Sequence, residues 1–385
     1  MPPATELFGR AWQITIDTPA NDSGPGVRYI IKSNFNTNPL QTQSEPLRIE
    51  FNVRQLMMLA YWDADVTIYN LRPSMISTSQ GQTLSANQQI SSGDVVTISA
   101  GYQDQSGQFN AEGNVIFSGV VFHPVWTRIG VVDWVLKLRC LCGLMEDSLN
   151  LVSFSLPAGA TYYSSMQQIG KKAGMVINAD SDAIDLMSGK SFPRPVPIHS
   201  KPFDAFRELM QQTTLFAWLQ PAAPGAGNKP TMNVQSFRTQ PEQPDFTYGT
   251  PNIPRNVTAG MFNYKPSLLD VPQQIALPAE TGMGVTMMGA TFRVLMDSSL
   301  RIGKVVQLAK GTVVNPLQFT PFQDYPPIAA RDAMYAIAGL RYYGDSRGQG
   351  SSWYTEVTGV NFNFFSNFVR AMSPQFSTAP QGPAQ

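Results

Sequence analysis

Two cysteines and two histidines hold most of the nucleophilic or metal-binding chemistry open to this chain of 385 residues. Cys140 and Cys142 form a C-x-C pair. On a strand, residues two apart point to the same face, so these two are poorly placed to bridge each other. With no further Cys or nearby His the pair is a weak metal signal and reads as reduced core. His123 precedes Pro124 at an expected strand end, and His199 precedes an expected helix. Neither has a partner at ligand spacing, so both read as structural or surface residues. Asp180-Ser181-Asp182-Ala183-Ile184-Asp185 opens like a calcium loop. It lacks the Gly required at the sixth position and the Glu at the twelfth, leaving a solvated acidic turn. Gly282-Met283-Gly284 opens like a dinucleotide fingerprint, but the next glycine, Gly289, comes too late, so the segment reads as a turn. There is no H-E-x-x-H, no G-x-x-x-x-G-K and no G-x-S-x-G. A carboxylate pair for glycoside hydrolysis need not be close in sequence, and nothing here favours one. No catalytic, cofactor-binding or metal-binding residue is therefore nominated, and the chain is not expected to be an enzyme.

Composition narrows the partners. Lys plus Arg number 27 and Asp plus Glu number 27, giving zero net charge, so the basic excess of a duplex-binding protein is missing. Aromatics reach 11% but alternate along strands instead of interleaving with Lys and Arg, which is not a single-strand-binding pattern. Charged residues are only 14%, well below the usual share of about a quarter, so Gln, Asn, Ser and Thr must supply much of the polar surface. Such a surface suits packing into an assembly, or simply a neutral soluble protein. Met1-Pro2-Pro3-Ala4-Thr5-Glu6 is not a secretory signal, and no run approaches the ~18 apolar residues that span a bilayer. The expectation is a soluble chain made in a cytoplasm, without membrane insertion.

The elements that must position these residues are mostly strands. Trp12–Ile16 and Val27–Ile31 flank a Gly/Pro turn and read as a hairpin. Leu47-Arg48-Ile49-Glu50-Phe51-Asn52-Val53 alternates strictly, with Leu47, Ile49, Phe51 and Val53 facing a core. Leu56–Trp62 reads as a short helix or an apolar bridge. Further strands are expected over 65–71, 94–102, 115–122 and 131–141, with polar loops at 72–92 and 103–113. The period then changes to helical. Tyr162, Met166, Ile169 and Ala173 share one face and Gly174 marks a stop. A second helix runs from Pro202 to about Phe216, and 221–230 reads as a hairpin tip between strands 216–219 and 231–234. Four prolines in 241–257 suit a linker. A second β-region over about 258–365 is expected to carry one helix, from Pro327 to about Arg341, and 372–385 reads as disordered.

One phrase is written twice. Gly93-Asp94-Val95-Val96-Thr97-Ile98 reads like Gly303-Lys304-Val305-Val306-Gln307-Leu308. The first follows Val66–Leu71 and precedes Trp134–Leu138; the second follows Ala290–Leu295 and precedes Trp353–Val357. The two sets read as copies of one β-domain, or as two ordinary turn-strand segments.

The order of Leu47–Val53, Val66–Leu71, Gly93–Tyr102, Ile116-Phe117-Ser118-Gly119 and Leu138-Arg139-Cys140 resembles the first barrel of bacteriophage tail baseplate hub proteins. These belong to a tail-tube-like group that includes the N-terminal part of type VI secretion spike proteins. Pro202-Phe203-Asp204-Ala205-Phe206 and Trp218 resemble the middle domain of such hubs. The resemblance implies a mainly β fold with a small α/β insert. It divides the chain into a first tube-like β-barrel (1–148), a mixed α/β middle domain (149–245), a second tube-like barrel with one helix (246–370) and a disordered tail (371–385). It also implies a homotrimer of pseudo-sixfold symmetry in a virion tail baseplate, assembled in the host cytoplasm. That trimer would join a sixfold tail tube protein to a threefold central spike and touch baseplate wedge or neighbouring tail proteins, while tape-measure protein and DNA pass through its lumen. The 72–92 and 103–113 loops are candidate contacts to neighbouring rings, or free surface loops. Two other readings are a hub with wall-degrading activity, which needs a catalytic domain that the chain after 365 is too short to hold, and a carbohydrate-binding tail protein.

Overall fold

A computed structural model describes residues 9–18, 27–33, 47–57, 59–71, 90–103, 108–129, 133–144, 147, 150–211, 213, 215–221, 229–236, 244–248, 264–265, 268–270, 272–278, 286–308, 333–348 and 352–361. The expected tail at 371–385, the Gly282 turn, the tip at 222–228 and most of the 72–92 loop and the 241–257 linker lie outside these residues.

In the first part of the chain the described elements are strands: β1 (Arg10–Thr18), β2 (Val27–Lys32), β3 (Ile49–Leu56), β4 (Trp62–Tyr69), β5 (Val95–Tyr102), β6 (Val115–Ile129) and β7 (Asp133–Cys142). Alternation dictates these strands. In β4 every second side chain is buried, and Ile49, Phe51 and Val53 of β3 point into the same core. Residues between β3 and β4 make a bend, so Leu56–Trp62 is the apolar bridge rather than a helix. Cys140 and Cys142 lie on one face of β7, both buried and unbridged, as their spacing requires.

The middle of the chain is mixed. It comprises β8 (Val152–Leu156), α1 (Tyr162–Ala173), β9 (Val176–Ala179), α2 (Ser181–Ser188), β10 (Val196–Ser200), α3 (Pro202–Gln211), β11 (Phe216–Gln220) and β12 (Thr231–Gln235). Thr161 caps α1 by accepting from the Ser164 N–H at 3.1 Å, and Gly174 ends it in the left-handed region. Pro202 opens α3 as expected, but the helix stops at Gln211 and Phe216 already belongs to β11. The acidic turn at Asp180 is a helix start. The Asp180 carboxylate accepts from the Ala183 N–H at 2.7 Å, capping α2. Its other oxygen accepts from the Ser236 N–H at 3.0 Å, tying α2 to the end of β12. β8 pairs with β10, and β12 lies between β11 and β9.

The last part returns to β: β13 (Phe246–Tyr248), β14 (Tyr264–Lys265), β15 (Gln273–Pro278), β16 (Thr286–Leu295), β17 (Val305–Leu308), β18 (Ala333–Asp345) and β19 (Trp353–Asn361). The helix expected over Pro327–Arg341 is overturned, because residues 333–345 are β18; 327–332 lie outside the described residues. The segment Ala333-Met334-Tyr335-Ala336-Ile337-Ala338 is alanine-rich and does not alternate, which mimics a buried helix. It fails to alternate because β18 is covered on both faces and paired along both edges, by β17, β19 and β3.

The molecule is thus mainly β with a small mixed part. Strands from both ends of the chain share one 14-stranded sheet. Among the described residues no pairing closes either half into a barrel; the ladder instead runs from β3 onto β18, joining the two halves.

Candidate assembly interface

The two written phrases are two copies of one five-stranded unit. The first runs β3-β4-β7-β6-β5, the second β15-β16-β19-β18-β17, all antiparallel. Atomic details repeat. Gly93 and Gly303 have φ of 102° and 83°. The Gly93 N–H donates to Val121 O at 2.9 Å, as the Gly303 N–H does to Ile337 O. Val121 N–H returns to Asp94 O at 2.7 Å, and Ile337 N–H to Lys304 O at 2.8 Å. Directly after these residues each long strand carries a bulge, between Val121 and His123 in β6 and between Ile337 and Gly339 in β18. Counting from the bulges matches Trp134 with Trp353, as the sequence suggests. It corrects the match of Val66 with Ala290. Val66 pairs with Leu138 and Phe292 with Val357, so Val66 matches Phe292 and the fully buried Ala64 matches Ala290. The correction is one full pleat, which leaves every side chain on the expected face.

The units meet where β3 runs antiparallel along β18. β17 occupies the first part of that β18 edge and β3 the second, while β19 covers the other edge. Met57 N–H donates to Ala338 O at 2.7 Å at one end of the seam, and Ser346 N–H to Ile49 O at 2.9 Å at the other. Odd-numbered residues of β3 therefore aim their backbone groups at β18. Arg48 reaches across to Asp345 with bonds of 3.3 and 2.9 Å, and Arg10 donates to Asp345 O at 2.8 Å and Gly348 O at 2.7 Å. Burial alone would push the Asp345 carboxyl up; the Arg48 guanidinium and the Arg347 N–H outweigh it and hold the group below the usual carboxylate range. Trp353 is 2% exposed. It packs edge-on against Phe51 at 5.2 Å and donates its indole N–H to Gly101 O at 3.1 Å. Sequence reading names Trp353 as a strand start but misses Arg10, Arg48 and Asp345. No local pattern marks a pair separated by most of the chain.

A cleft of about 560 Å³ lies where β9, β11 and β12 face the Gly303 turn. Side-chain amides line it: Asn178 donates to Asn233 at 2.8 Å, and Asn233 to Gln220 at 3.1 Å. Lys304 pairs with Asp245 at 2.9 Å on its rim. Its lining holds no His and no Cys. Among the described residues no group of three His, Cys, Asp or Glu is placed to hold a metal. His123 sits just beyond the β6 bulge and His199 within β10, both exposed and far apart in the chain. The Cys140 thiol is pushed up by burial to about 12, which suits an inert core residue rather than a nucleophile. Among the described residues no helix is long and apolar enough to cross a membrane.

No family model and no curated protein matches the chain. Solved structures are similar only distantly. One is an Escherichia coli protein, c3393, described as a component of the type VI secretion system with structural similarity to phage T4 tail proteins gp27 and gp5. The likeness has a TM-score of 0.47 and 9% identity, over 84% of this chain and 75% of that one. A tail protein from Neisseria meningitidis MC58 gives a TM-score of 0.48 and 9% identity over 93% of this chain and 98% of that one. The lidded Francisella PdpA-VgrG complex gives 0.48 and 10% identity over 98% of this chain, which spans 55% of the matched chain. These likenesses are too low to equate the folds.

Proposed function

We propose that the chain is a non-enzymatic structural subunit of a phage tail, the hub of its baseplate. The observation that carries the reading is the internal duplication, in which one chain holds two five-stranded units with matched order, turn and bulge. Three such chains set head to tail present six similar units while keeping threefold symmetry. That arrangement suits a trimer between a sixfold tail tube protein and a threefold central spike, with each half of the chain forming a tube-type barrel around a lumen for tape-measure protein and DNA. The domain division at 148, 245 and 370 follows this reading. Neutral charge fits a lumen wall that does not hold DNA, and the low charged fraction fits contacts to neighbouring tail proteins in a virion.

The native mass of the full chain, alone and with a candidate spike protein, tests the proposal. A species of about 127 kDa, three times the 42.3 kDa chain, supports it; a monomer in both conditions overturns it. The polar cleft gives the carbohydrate-binding alternative its one physical support. Trp218 on that cleft is 5% exposed and offers no free face for a sugar ring to stack on.

A further inference from the structure

The two units are alike, yet only one has its partner. β18 of the second unit is covered along its outer edge by β3 of the first. The matching edge of β6, from Phe122 to Ile129, pairs with β7 on one side and with no strand on the other among the described residues. The strand that matches β3 is β15, since Val53 and Gln274 stand opposite the matching alanines Ala64 and Ala290. Among the described residues β15 pairs with β16 alone, which leaves its outer edge without a strand there.

Side chains around the two edges differ as an occupied seam differs from an empty one. Trp353, at the occupied seam, is 2% exposed; its match Trp134 is 45% exposed. Asp345 is buried, while its match Ile129 is 50% exposed and Phe122, beside the bulge, 53%. Large apolar side chains thus stand in solvent at both ends of this edge, Phe122 at the bulge and Ile129 with Trp134 at the far end, where the second unit has a filled junction. The indole N–H of Trp126 on this strand is buried without an acceptor among the described residues.

We infer that the outer edge of β6 takes β15 of a second copy of this chain, in the register that β18 and β3 use within one chain. This deepens, and rests on, the reading of the chain as a ring-forming subunit. Transferring the register sets Trp126 opposite Gln274 and Thr127 opposite Gln273, because Tyr342 pairs with Val53 and Tyr343 with Asn52. The outward-facing backbone groups of β15 are then those of Pro272, Gln274, Ala276 and Pro278. Two of these are prolines without a donor, and Pro124 of β6 also lacks one, so the ladder is shorter than its intrachain counterpart. The chain already answers one loss. Ala338 O accepts from the Met57 N–H, but Pro278, the match of Met57, has none; the match of Ala338, Phe122, has its carbonyl bonded instead by the Ser92 hydroxyl at 3.1 Å. Prolines at both ends blunt the edges against other partners and confine pairing to the centre. The contact joins different surfaces of two copies, so it propagates around a ring.

The test uses full-length single variants Thr127→Cys and Gln273→Cys, both at exposed positions. In this register they form a non-hydrogen-bonded antiparallel pair, with Cα atoms about 4.5 Å apart, within disulfide range. Mixing the two variants under mild oxidation is expected to give a reducible dimer absent from either alone, and the double variant is expected to stop at a covalent trimer. A second variant, Trp134→Glu, is expected to keep the monomer's thermal transition and lose the multimer. A native trimer that gives no mixed dimer and survives Trp134→Glu overturns this seam while leaving the trimer standing. A mixed dimer whose double variant runs on into open ladders upholds the seam and overturns the closed ring. A monomer without crosslinks overturns both.

Discussion

Gly93 and Gly303 have the same backbone and different surroundings. At Gly93 an added methyl would meet nothing within 4 Å, so Gly93→Ala carries only the left-handed φ, roughly 1–2 kcal/mol. At Gly303 the same methyl would come within 2.6 Å of both the Trp218 ring and Gln235. Gly303→Ala is expected to cost about 3 kcal/mol, adding overpacking to strain. Urea unfolding of the pair checks this, and equal losses would mean that Trp218 moves aside freely. Asp345 gives a second prediction. Its carboxyl is held below the ordinary value near 3.9, so the folded chain binds its proton less readily than the unfolded chain. Its stabilisation is complete above that value and disappears as pH falls through the folded one. Melting temperatures of the wild type and Asp345→Asn should therefore differ most above the ordinary carboxylate value and converge as pH falls below the folded one. A constant gap would assign Asp345 no ionic role.

At the level of the element, the acidic Asp180 segment shows why a ligand-like spacing need not bind a ligand. One carboxylate oxygen starts α2 and the other holds the Ser236 N–H, so Asp180 is already committed to backbone donors. Asp180→Ala should cost about 1–2 kcal/mol by thermal unfolding, and calcium should not change that figure. A calcium-dependent rise in the wild-type transition would restore the metal-loop reading. The strands with one buried face, β3 and β4, are legible because polar and apolar residues alternate. β18 is not, since three strands surround it and remove the alternation. Helix α1 is legible from its period and its Gly174 stop, whereas α2 is too short for its period to stand out against its acidic start.

For the whole molecule, the duplication makes assembly a matter of which strand edges remain open. A native trimer held by the new seam should resist acid better than the internal seam does. The position of Asp345 is taken there by the uncharged Ile129. Native mass and melting temperature followed as pH falls through the folded value of Asp345 check this, and an acid-resistant internal unit with an acid-labile trimer would count against it. By itself the sequence determined the β character, the two copies of the Gly-x-Val-Val turn, the start of each major helix and the absence of catalytic motifs. These are local, set by periods of two and 3.6 residues and by capping chemistry. Only the tertiary structure decided the pairing of β3 with β18, the burial of Trp353 beside the exposure of Trp134, and the strand at 333–345. Each depends on which residues, distant in the chain, fill an edge or a face, and a backbone edge carries the same N–H and C=O groups whatever its sequence.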